Sequence, residues 1–192
     1  MITSFYSDDE LKNLGVKLLG GGICLSRKVS IYNPERISIG SNVRIDDFCI
    51  LSGNITIGSH VHIAAYCALF GGNTGIELAD FAGVSSRSAI YAESDDYSGN
   101  ALTNPTISAK YRNVICGKVY IGKHVVIGTG SSILPGVCIE EGTALGSRSL
   151  VCRSLEAWGI YAGIPCKRLK ERSRKILELE KSFLDKESKD IL

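Results

Sequence analysis

An aliphatic residue returns at every sixth position from Ile121 to Val151: Ile121, Ile127, Ile133, Ile139, Leu145 and Val151. Four residues after each anchor stands another small or aliphatic side chain, Val125, Ser131, Val137, Thr143 and Ser149, and glycine follows the anchor at Gly122, Gly128 and Gly146. A period of six is neither the 3.6 of an amphipathic helix nor the two of a half-buried strand. It predicts a parallel β-helix, in which each hexad supplies one short strand and one corner and three hexads complete a coil. Coils stacked at the ~4.8 Å spacing of neighbouring strands pile the anchors into one buried column per face. An ordinary β-sandwich would give a period of two with unevenly spaced turns, and this sequence does not have that pattern.

The same rule governs the first half. Ile39, Ile45, Leu51, Ile57, Ile63 and Leu69 are six apart, with partners Val43, Cys49, Ile55, Val61 and Cys67. Leu78, Val84 and Ile90 resume the series after three extra residues around Gly71, Gly72 and Asn73, and Leu25 and Ile31 suggest a less regular opening coil. Only between Tyr91 and Val119 does the array break. Numbering the corners of each coil one to three places Gly53-Asn54, Gly71-Gly72-Asn73, this break and Pro135-Gly136 all at the third corner. An excursion over 92–118 on one edge of a prism is long enough to expect function of it.

The chain of 192 residues carries a net charge of +2, which gives no reason to invoke nucleic acid or a membrane surface. No run of ~18 apolar residues is present. The segment from Met1 to Glu10 lacks the basic start and apolar core of a signal peptide. Seven cysteines form no CxxC pair; all are read as reduced and structural, and the compartment as cytoplasmic. Ser7 and Glu10 form a capping box that starts a short helix, with Leu11 and Leu14 on its apolar face and Gly15 ending it. From Arg168 the pattern reads as helix, with Leu169, Ile176, Leu179, Phe183 and Leu184 on one face and a basic start. The organisation expected is therefore an N-terminal cap over 1–24, a β-helix over 25–166 with the excursion at 92–118, and a C-terminal helix over 167–192.

The hexads, the interrupting loop and Tyr161-Ala162-Gly163-Ile164-Pro165-Cys166-Lys167-Arg168 together resemble the hexapeptide-repeat acyltransferases, whose chains end in Ala-Gly-x-Pro-x-Lys/Arg. The loop residues Ser94 to Gly99 and Thr103-Asn104-Pro105 resemble a subgroup linked to bacterial surface-polysaccharide synthesis, the GDP-perosamine N-acetyltransferases among them. The resemblance implies a left-handed prism, a homotrimer with active sites between subunits, and acetyl-CoA lying along the prism beside a neighbour's loop. It implies transfer of acetyl to the amino group of a nucleotide-linked amino sugar, with O-acetylation of a sugar hydroxyl as the alternative.

Acetyl transfer needs a base for the acceptor's proton and donors for the oxyanion. Galactoside-type members place a loop histidine a few residues after the last anchor before the loop; counted from Ile90, that slot holds Asp95. A carboxylate suits an amine, which is a better nucleophile than a hydroxyl once it has lost its extra proton. The base is therefore Asp95 or a histidine, with His62, in Val61-His62-Ile63-Ala64, matching a position that contacts acetyl-CoA in amino-sugar acetyltransferases. Asp96, Tyr97 and Tyr91 are the expected acceptor-binding residues. By repeat register, Thr129 and Ser147 match backbone contacts to the thioester and pantetheine, and Arg153, Lys167 and Lys170 match positions near the nucleotide phosphates. No metal is expected. A third reading is a non-catalytic β-helix, such as an assembly scaffold or a carbonic-anhydrase-like protein; the latter would need His60, His62 and His124 to converge on one ion.

Overall fold

The computed structural model describes residues 4–190, with side chains through Glu187. The ends of the expected cap and C-terminal segment, 1–3 and 191–192, lie outside the described residues. Parallel pairing builds three faces. On the first face Leu19, Ile39, Ile57, Leu78, Ile121 and Ile139 fall in one register column. Leu25, Ile45, Ile63, Val84, Ile127 and Leu145 form the second. Ile31, Leu51, Leu69, Ile90, Ile133 and Val151 form the third. Every anchor from Ile39 to Val151 is buried, and so are the partners Val43, Cys49, Val61, Cys67, Val125, Ser131, Val137, Thr143 and Ser149. The buried hydroxyls are satisfied locally: Ser131 Oγ donates to the Gly128 carbonyl and Ser149 Oγ to the Gly146 carbonyl, each at 2.7 Å. This is the left-handed parallel β-helix that the hexads and the family resemblance implied.

The glycine after each anchor is there for a close approach. A Cβ on Gly128 would sit 2.5 Å from the Ser147 amide nitrogen of the next coil, and one on Gly122 2.7 Å from that of Glu141. The left-handed corner conformation is taken by Gly22, Gly142 and Gly130 but mostly by residues with side chains: Asn42, His60, Phe81 and His124 on the first edge, and Phe48, Tyr66, Arg87 and Arg148 on the second. That conformation costs a non-glycine residue roughly 1–2 kcal/mol. Repetition brings the rings together: His60 stacks on Phe81 at 4.7 Å, Phe81 on His124 at 5.2 Å, and Phe48 on Tyr66 at 5.0 Å. Stacked pairs return about 0.5–1.5 kcal/mol each.

At one end, helix α1 (Asp8–Lys12) is closed by the Ser7–Glu10 capping box and buries Leu11. At the other, the strand Gly159–Gly163 pairs antiparallel with Cys166–Glu171. The expected helix start at Arg168 is therefore wrong. The turn at Gly163-Ile164-Pro165 folds the basic run back onto the second face, where its backbone finds strand partners, and Leu169 is left exposed. Helix α2 (Lys175–Asp190) begins later and lies along the first edge. There Phe183 meets the His60 and Phe81 rings edge-on, and Glu180 accepts from His124 at 2.9 Å and pairs with Lys123.

Candidate active site

The excursion has structure of its own. Strands Glu93–Asp95 and Val114–Cys116 pair antiparallel where the chain leaves and rejoins the third edge, and Asp96 N–H bonds the Asn113 carbonyl beyond them. This hairpin and the third face enclose a cavity of about 510 Å³ whose lining includes Ser52, Phe70, Tyr91, Asp95, Tyr97 and Pro105. Tyr91 stacks on Phe70 at 5.3 Å, one coil apart in strict register, so the cavity has an aromatic wall. Gly72, with a positive φ, lies close beside the Glu93 carboxyl, which accepts the Asn73 amide.

Asp95 borders this cavity, and one of its oxygens is fixed by the Asn104 backbone amide at 3.1 Å. Asp96 is used differently. Its oxygens accept from the Ser98 amide at 2.7 Å and from Asn113 Nδ2 at 2.9 Å. The Asn113 and Ser98 hydrogen bonds hold its carboxyl below the usual range. Asp96 thus ties the loop together, while Tyr91 and Tyr97 face the cavity.

His62 does not meet Asp95 within one chain. It sits on the second face, opposite the third edge, and bonds Asp46 at 2.8 Å. Burial acts to raise the Asp46 carboxyl, but hydrogen bonds and charge from His62 and Arg44 outweigh it and hold it low. His60 and His124 sit on the first edge with Glu187 and Glu180 of α2. The three histidines therefore have three separate carboxylate partners. Among the described residues no group of three or more His, Cys, Asp or Glu side chains is placed to hold a metal ion. No helix among them is long and apolar enough to cross a membrane.

Of the expected donor residues, Thr129 and Ser147 lie on the second edge. Thr129 Oγ1 donates to the Ser86 carbonyl at 2.6 Å and lies 3.0 Å from Ser86 Oγ. The Arg148 amide reaches the Thr129 carbonyl at 2.8 Å, which sets Ser147 one coil further on. Beyond Ser147 the edge runs to Ala162, whose strand partner is Lys167; Lys170 pairs with Ile160. Arg153 belongs to the third edge, near enough to Cys166 for its charge to oppose the upward push of burial on that thiol. Second-edge and third-edge groups flank the third face, so Ser85 and Ser86 stand on one side of Ala89–Tyr91 and Asp95 on the other.

Sequence reasoning did not single out Phe70, Ser85, Lys110 or Arg112. Phe70 was readable: Tyr32, Ser52, Phe70 and Tyr91 each follow a third-face anchor and stack in one outward column. The two loop cations carry no periodic signal.

Residues 36–71 match the family model described as bacterial transferase hexapeptide (six repeats). The chain is 44% identical to dTDP-4-amino-4,6-dideoxy-D-glucose acyltransferase of Escherichia coli over 94% of this chain and 95% of that one. It is 56% identical to AntD, an N-acyltransferase from Bacillus cereus, in a crystal structure with dTDP and 3-hydroxybutyryl-CoA. That match has a TM-score of 0.96 and covers 97% of this chain and 100% of that one. Other structures of AntD replace one serine or an aspartate ten positions after it. A maltose O-acetyltransferase from Clostridium difficile, 22% identical over 87% of this chain and 75% of that one with a TM-score of 0.56, shares the fold alone.

Proposed function

This chain belongs to the hexapeptide-repeat acyltransferases, and from that premise we propose that it transfers an acyl group from a coenzyme A thioester to the amino group of a dTDP-linked amino-dideoxy sugar. Asp95 at the mouth of the aromatic-walled cavity is the observation that carries this reading. The relatives are named for dTDP-linked rather than GDP-linked sugars, and one was crystallised with 3-hydroxybutyryl-CoA, so the acetyl-CoA and GDP-perosamine expectations widen and shift accordingly.

In this scheme the Asp95 carboxylate, fixed by Asn104, pairs with the acceptor's ammonium and takes the proton that must leave before the nitrogen can attack. The N–C bond forms as the C–S bond breaks, and the departing thiolate takes up a proton. Tyr91 and Phe70 offer a flat apolar wall to the acceptor. Thr129 and Ser147 lie where an extended thiol arm would run along the second edge, and Arg153, Lys167 and Lys170 lie where its phosphates would end.

The serine–aspartate spacing of the AntD variants occurs here twice, as Ser85 with Asp95 and Ser86 with Asp96. The first pair is favoured because Asp96 is consumed within the loop. Since Ser85 and Asp95 flank the third face of a single chain, a site using both draws them from adjacent copies, which supports the homotrimer.

The test is to incubate the purified protein with acetyl-CoA or 3-hydroxybutyryl-CoA and dTDP-4-amino-4,6-dideoxyglucose and to follow free thiol. Thiol release that requires the amino sugar is expected; release with a dTDP-hexose lacking the amine, and not with the amino sugar, would refute the proposal.

A further inference from the structure

The tip of the excursion holds a second cavity, of about 530 Å³, that neither the acyl chemistry nor the solenoid uses; its lining includes Gly99, Asn100, Lys110, Tyr111, Arg112 and Asn113. No carboxylate lines it. Arg112 Nε is buried with no hydrogen-bond partner. A buried donor without an acceptor is destabilising, and none of the loop's own acceptors satisfies this one. Lys110 stands beside it, its ammonium 4.6 Å from the centre of the Tyr111 ring. The nearby acids do not compensate these cations: Asp96 is bound to Ser98 and Asn113, and Asp95 to Asn104.

From this we infer that Lys110 and Arg112 form a diphosphate cradle for the nucleotide part of the acyl acceptor. Arginine's planar fork matches phosphate oxygens, and lysine adds a point charge. Coenzyme A also carries a diphosphate, but connectivity separates the two. The donor's expected cations, Arg153, Lys167 and Lys170, lie at the C-terminal end of the prism. Lys110 and Arg112 instead belong to the hairpin that carries Asp95: Asp95 pairs with Val114, two residues from Arg112. An anion seated here belongs to the molecule whose amine reaches Asp95. The inference deepens the acceptor reading proposed above and rests on it.

Calorimetric titration of the full chain with dTDP, and separately with coenzyme A, tests it. Arg112→Gln is expected to weaken dTDP tenfold or more and Lys110→Met several-fold, with coenzyme A unchanged and the loss of dTDP affinity steeper at low salt. Lys110 is exposed, so its variant carries the test even if Arg112→Gln melts early. Unchanged dTDP affinity in both variants overturns the cradle while leaving the acceptor reading intact. Weakened coenzyme A binding with dTDP unaffected reassigns the cradle to the donor. Wild-type protein that binds coenzyme A but not dTDP defeats the acceptor reading itself.

Discussion

On the first edge of the prism, His60, Phe81 and His124 stack ring on ring and α2 lies over them. On the third edge, one face away in the same coils, the chain leaves the solenoid for its excursion and encloses a cavity. Both edges occupy corner positions of the same hexads. The first spends its corner side chains on stability: left-handed residues are held by stacking, Phe183 is set edge-on, and Glu180 is bonded to Lys123 and His124. The third leaves charges less committed: Asp95 has one oxygen anchored, and Arg112 Nε has no acceptor. In a solenoid the columns of anchors leave little freedom on the faces, so stability and chemistry separate onto different edges.

That contrast is broken most directly at its strongest point. Asp95→Asn is expected to lower turnover by about 10²-fold or more, in the range for losing a general base, which corresponds to roughly 2.7 kcal/mol of barrier. Because Asp95 borders a cavity and, among the described residues, its carboxylate accepts one hydrogen bond, from the Asn104 amide, the melting temperature should barely move. A variant that melts early but turns over normally when folded would place Asp95 in the architecture and send the search for a base to His62, the most exposed of the three histidines. Phe81→Ala is the mirror experiment. It removes the middle ring of the ladder and the surface against Phe183, and should cost about 2 kcal/mol of stability while sparing kcat. Thermal melts beside steady-state rates on both variants give the comparison its cleanest reading.

The faces were legible from sequence because an anchor that slips by one residue turns from core to solvent. Ile121 through Val151 could be placed to the residue, as could the edge from which the loop departs. The corners were less legible. A positive-φ position occupied by Phe81 or His124 does not look like a turn signal, and its support comes from rings a full coil away and from helix α2, distant in sequence. The run after Cys166 looked helical because its composition is helical; the strand Gly159–Gly163 overrides that preference by offering an antiparallel partner. Asp95 was proposed by counting from Ile90, and the structure sets it and Tyr91 on one cavity. Asp96 was expected to bind the acceptor, and the hydrogen bonds from Ser98 and Asn113 that commit it to the loop carry no sequence signal.

The smallest effect concerns the clasp on the first edge. Burial alone would raise the Glu180 carboxyl, but hydrogen bonds and charge from Lys123 and His124 outweigh it and hold it below the ordinary carboxylate range. A group depressed in the folded state contributes stability that is complete above its unfolded pKa, about 4.3 for a glutamate, and is lost as pH falls through the folded value. The Glu180 carboxylate's contribution to α2 docking should therefore be complete from neutral pH down to about 5 and weaken below about 4. Arg172 also faces this clasp, donating to the His124, Gly142 and Thr143 carbonyls, and stays charged throughout that window. Glu180→Gln should cost about 1 kcal/mol at pH 7 and flatten the acid dependence, since it leaves nothing at that position to protonate. Hydrogen exchange across 175–187 as a function of pH reads this out. A helix that loosens equally in acid with glutamine at 180 would mean that Phe183 and the ring ladder, not the carboxylate, govern the docking.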